Sequence, residues 1–132
     1  MVTRFRSFEA GPDLLRRSWR VDFLWLQNAI AIRRSDTVDV KFALSCGDER
    51  RTVVIALPHA DLLDLSRRAG RPLTDPWCAR LAASYLKRMI ETGEDFEKPI
   101  VTARREILEE IAGLRAPALS PNPPPGTAAA CP

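Results

Sequence analysis

The chain has a single histidine, three cysteines and six glycines that never cluster, and its longest unbroken aliphatic run is Val53 to Leu57. Each scarcity excludes something. A signal peptide or a membrane-spanning helix needs a far longer apolar stretch than five residues. A phosphate-cradling loop needs grouped glycines, and no serine stands in a nucleophile elbow. Cys46, Cys78 and Cys131 are odd in number and widely spaced, which argues against a disulfide framework or a zinc site. Reduced thiols, a cytoplasmic location, no metal and no cofactor are the expectations that follow.

Charge is also unremarkable in its distribution: 20 basic and 17 acidic residues, interspersed, leave a formal net charge of +3. Such a mild and mixed excess supports solubility and says little about partners. Seventeen of the basic residues are arginine, whose guanidinium fork suits phosphate and carboxylate.

What is present is a change of pattern at Pro58. Before it, apolar residues recur at every second position; after it, at every third or fourth, so a small sheet precedes helices that cover it. Val38, Val40, Phe42 and Leu44 alternate with Asp39, Lys41, Ala43 and Ser45, and Val53, Ile55 and Leu57 resume the alternation. A four-residue turn of Gly47, Asp48, Glu49 and Arg50 would set Leu44 opposite Val53, Phe42 opposite Ile55 and Val40 opposite Leu57. Both apolar faces then coincide. Upstream, Val21, Phe23 and Trp25 alternate as a strand, with Gln27 and Asn28 as a turn into a short strand of Ala29 to Arg33. Leu15, Trp19, Asp22, Phe23 and Leu26 also fit a helix over 12 to 26 after Pro12, but aromatic and branched residues dominate from Val21 onward and favour the strand.

Beyond Pro58, a helix ending at Gly70 places His59, Leu62, Leu63, Leu65, Ser66 and Ala69 on one arc. A second, capped by Thr74 or Asp75 and closed by Gly93, carries Trp77, Cys78, Leu81, Ala82, Tyr85, Leu86, Met89 and Ile90 around more than half its circumference, which calls for partners on two sides. A third, over 103 to 115, has Ile107, Leu108, Ile111 and Leu114 in a stripe, with Glu109 on the solvent side. From Ala116 the composition turns to Pro, Ala, Ser, Asn and Gly, which cannot bury enough surface to order itself. The fold expected is α+β: an antiparallel meander of three or four strands, then three helices packed on one face. Residues 1–115 form one domain and 116–132 a disordered tail.

No catalytic constellation is visible. His59, at a strand-to-helix junction, has Asp61 and Asp64 nearby in sequence, but helical spacing turns Asp64 away from it. Glu91, Glu94, Asp95 and Glu97 cluster without the glycine and carbonyl positions of a calcium loop. The leading expectation is a non-catalytic protein-interaction module, with another protein or itself as partner, in a homodimer for example, through the stripe of Ile107, Leu108, Ile111 and Leu114. The alternative is a nucleic-acid-binding module: Arg16, Arg17, Arg33 and Arg34 to neutralise phosphate, Trp19 or Trp25 to stack on bases. An enzyme built around His59 ranks third, and no membrane partner is expected.

Overall fold

A computed structural model describes residues 1–29 and 36–116. Its elements are β1 (Ser7–Ala10), β2 (Trp19–Ala29), β3 (Thr37–Cys46), β4 (Glu49–Pro58), α1 (His59–Ala69), α2 (Asp75–Thr92), β5 (Ile100–Thr102) and α3 (Arg105–Ile111). The class is α+β, with a five-stranded mixed sheet in the order β1-β2-β3-β4-β5. Four strands run antiparallel as a meander, and β5 joins β4 in parallel after the chain has passed through α1 and α2. The expectation of a purely antiparallel sheet is corrected by this return. Backbone bonds clamp it: Val54 N donates to Pro99 O at 2.8 Å and Ala103 N to Ala56 O at 2.8 Å.

The hairpin between β3 and β4 turns on two residues, not four. Gly47 takes a left-handed φ of +58°, so Cys46 can pair with Glu49 directly. Phe42 then faces Val53, Val40 faces Ile55 and Val38 faces Leu57. The expected pairing is displaced by two positions, a shift that preserves which face each side chain occupies. Val40, Phe42, Leu44, Val53, Ile55 and Leu57 all lie buried in one core with Trp77 of α2.

Residues 19 to 29 settle as one strand, and Gln27 and Asn28 sit inside it opposite Asp39 and Val38. The helix over 12 to 26 is not formed. A bulge at Leu24 explains the mixed signal: Phe23 pairs with Phe42 and Trp25 with Lys41, so the strand changes phase between them. The expected strand residues Ile30 to Arg33 and the expected disordered tail from 117 onward lie outside the described residues.

Thr74 caps α2 by accepting from Trp77 N at 3.3 Å, and Gly93 closes it at φ +76°. Both flanks of α2 are occupied, by the sheet and by α3. In α1, Leu62 and Leu65 are buried, whereas Leu63, expected on the same arc, is exposed. The third helix is shorter than expected, with Arg104 rather than Thr102 before its first residue. Glu109, expected in solvent, is buried; it accepts from Arg68 at 2.7 Å and pairs with Arg115 at 3.4 Å.

Candidate functional site

The least exposed acidic side chain near the sheet lies in a loop that periodicity does not describe. Gly11 to Ser18 connects β1 to β2, and Asp13 within it is buried. Its Oδ1 accepts from Leu15 N at 2.9 Å and Arg17 N at 2.8 Å, and its Oδ2 accepts from Arg17 Nε at 2.9 Å and Trp19 Nε1 at 3.0 Å. A buried carboxylate is costly unless donors surround it, and here four do. Burial alone would raise this carboxyl, but the bonds from Trp19, Arg17 and Leu15 bring it down to about 2.

The same bonds shape the loop. Asp13 N donates to Arg17 O at 2.9 Å and Arg16 N to Asp13 O at 2.9 Å, which folds residues 13 to 16 into a tight turn. Arg16 is held at φ +61°, a conformation that costs a non-glycine residue roughly 1 kcal/mol and persists only where the surroundings enforce it. At Gly11, φ is +133° and a Cβ would stand 2.7 Å from Arg17 O, so only glycine fits. Around this turn stand aromatic and cationic groups: the Arg17 guanidinium lies 5.1 Å from the Trp19 ring, Phe96 meets Trp19 edge-on at 5.4 Å, and Arg51 lies 4.2 Å from Phe96. Arg17 also reaches Glu49 at 3.4 Å.

At the tip of this braced turn are Leu14 and Leu15, which are 73% and 71% exposed. Leu14 lies along the backbone at Gly93, where a Cβ would come within 2.4 Å of its Cδ1. Sequence reasoning missed the pair, because two adjacent leucines in a short loop carry no period. The available signal was Gly11, Pro12 and Asp13 together, a cluster of turn formers.

The residues singled out from sequence are distributed otherwise. Ile107 and Leu108 are buried, and Ile111 and Leu114 pack partly buried against the same core, so the stripe is occupied within the chain. Of the arginines, Arg16 is exposed, Arg17 is bound to Asp13, and Arg33 and Arg34 lie outside the described residues. Trp19 is wholly buried, which removes it as a stacking platform, and Trp25 is half-buried with Lys41 5.8 Å from its ring. His59 starts α1 half-buried, its backbone N–H bonded to Asp36 O at 2.8 Å. Among the described residues no carboxylate is paired with it: Asp64 binds Arg67 and Arg68, and Asp61 faces Arg105 at 3.5 Å. In the acidic cluster, Glu94 pairs with Arg104 at 2.7 Å and Asp95 with Lys98 at 2.9 Å. Among the described residues no group of three or more His, Cys, Asp or Glu side chains is placed to hold a metal ion. Among them too, no helix is long and apolar enough to cross a membrane. Cys78 is buried, and burial pushes its thiol up to about 11, which keeps it a poor nucleophile.

No protein-family model, curated protein or solved structure matches this chain.

Proposed function

We propose that the protein is a non-catalytic protein-interaction module that engages its partner through Leu14 and Leu15. The observation that carries this reading is the combination of exposure with rigidity. Two adjacent large aliphatic side chains stand in water at the tip of a turn that a buried carboxylate, a left-handed Arg16 and a glycine without room for a Cβ all hold in place. Binding residues concentrate on loops positioned by rigid scaffolds, and a preformed loop loses little entropy on docking. The stripe of Ile107, Leu108, Ile111 and Leu114 serves the chain's own core, and the role expected of it passes to this loop.

Nucleic-acid binding is less well supported, since Trp19 is buried and Arg17 is neutralised by Asp13 and Glu49. A photo-crosslinking residue at position 15, compared with one at position 63, tests the reading. Leu63 is also exposed but sits on a plain helix surface. Adducts with another protein or with a second copy should form from position 15 and not from 63; equal yields, or none, would remove the loop as the contact. An oligonucleotide titration at two salt concentrations should show no salt-sensitive binding.

A further inference from the structure

A cavity of about 670 Å³ opens where the end of α1, the first turns of α2 and the residues after α3 meet. Arg68, Arg71 and Arg80 line it, together with Ala69, Trp77 and Leu114. The three cations are not equivalent. Arg68 is matched, at 3.1 Å by Asp64 and at 2.7 Å by Glu109. Arg71 and Arg80 form no ion pair or side-chain hydrogen bond among the described residues, although most other arginines of the helical layer have an acidic partner. Among the described residues no acidic side chain lines the cavity.

We propose that this cavity is a binding site for a small organic phosphate. Two uncompensated guanidinium groups call for about two negative charges, and a phosphate monoester carries about −1.5 to −2 at neutral pH. Its three oxygens accept from two planar forks at once, which a monocarboxylate cannot do as well. The volume lies within the range of small-molecule pockets, and the half-buried Ala69 and Leu114, with the edge of the buried Trp77 behind them, give an apolar body something to lie against. None of these residues belongs to the Leu14–Leu15 loop, so the site stands or falls independently of the interaction role.

Isothermal titration of the full chain with phenyl phosphate, inorganic phosphate and benzoate tests the assignment. Phenyl phosphate should bind saturably, at least tenfold more tightly than benzoate, which has the ring and a single charge, and more tightly than inorganic phosphate, which lacks the ring. Arg71→Gln and Arg80→Gln should each weaken phenyl phosphate tenfold or more, while Arg16→Gln on the distant loop leaves it unchanged. Arg71 is exposed and Arg80 half-buried, and Arg80→Lys provides a second variant that retains the charge and should show intermediate affinity. Absence of saturable phenyl phosphate binding at millimolar concentration would overturn the proposal. So would equal affinity for benzoate, or binding that survives both glutamine substitutions.

Discussion

The indole N–H of Trp19 donates to Oδ2 of Asp13 at 3.0 Å, joining the first residue of a core strand to the loop that precedes it. Trp19 is fully buried, so its one polar atom needs an acceptor inside the protein, and Asp13 supplies it. The bond fixes where the turn carrying Leu14 and Leu15 sits relative to the sheet.

Replacing Asp13 by Asn keeps the shape and reverses half the chemistry. The amide oxygen can still accept from two backbone N–H groups, but its NH₂ then confronts the Trp19 and Arg17 donors. A buried donor left without an acceptor is costly, so D13N should lose about 2–4 kcal/mol in urea unfolding. The exposed neighbour substitution Leu15→Ser should stay within about 0.5 kcal/mol of the parent.

The same carboxylate sets an acid limit. Its folded value of about 2 lies below the ordinary 3.8, so the stabilisation is fully present above the unfolded value and disappears as pH falls through the folded one. Asp64 and Glu109, each lowered first by its bond to Arg68, act in the same sense. Melting temperature should be flat from pH 7 to 5 and fall between 4 and 2. D13N should show a shallower fall, and the gap between it and the parent should narrow at the acid end.

Gly93 tests the support beneath Leu14. Its φ of +76° disfavours any L side chain, and a Cβ there would press on Leu14 at 2.4 Å. Gly93→Ala should cost about 1–2 kcal/mol and disturb the amide resonances of residues 13 to 16. Gly47→Ala, at φ +58° with open space around it, should cost about 1 kcal/mol and leave those resonances unmoved.

Leu108 and Leu63 separate core from surface on the helical layer. Leu108 is fully buried and Leu63 half-exposed. Leu108→Ala should destabilise by about 2–5 kcal/mol, while Leu63→Ala should change stability by less than about 1 kcal/mol. Thermal or chemical denaturation of the two variants reads the difference directly.

The parts of the molecule legible in the sequence are those where periodicity is long. β3 and β4 each run ten residues, and the alternation of Val38, Val40, Phe42 and Leu44 with half-exposed partners identified the inward face correctly. The end of α1 at Gly70 and the capping of α2 by Thr74 and Gly93 were also readable, because those residues have specific backbone roles. Short pieces were not: β1 has four residues and β5 three, too few to show a period, and β5 is specified by what lies beside it. In β2 the bulge at Leu24 broke the alternation that would have announced eleven continuous residues. The Asp13 turn shows in sequence only as the turn formers Gly11, Pro12 and Asp13, and its bracing does not, since its partners Arg17 and Trp19 look like a solvated doublet and a free aromatic.

The parallel strand β5 lies against Val54, Ile55 and Ala56 and is tied there by flanking bonds, one accepted by Pro99 O from Val54 N and one donated by Ala103 N to Ala56 O. A chain without these residues would therefore leave the amides and carbonyls of its most aliphatic strand open along one rim. Such a rim invites a strand from a neighbouring molecule. Three residues added late in the chain thus act as a guard rail along that rim.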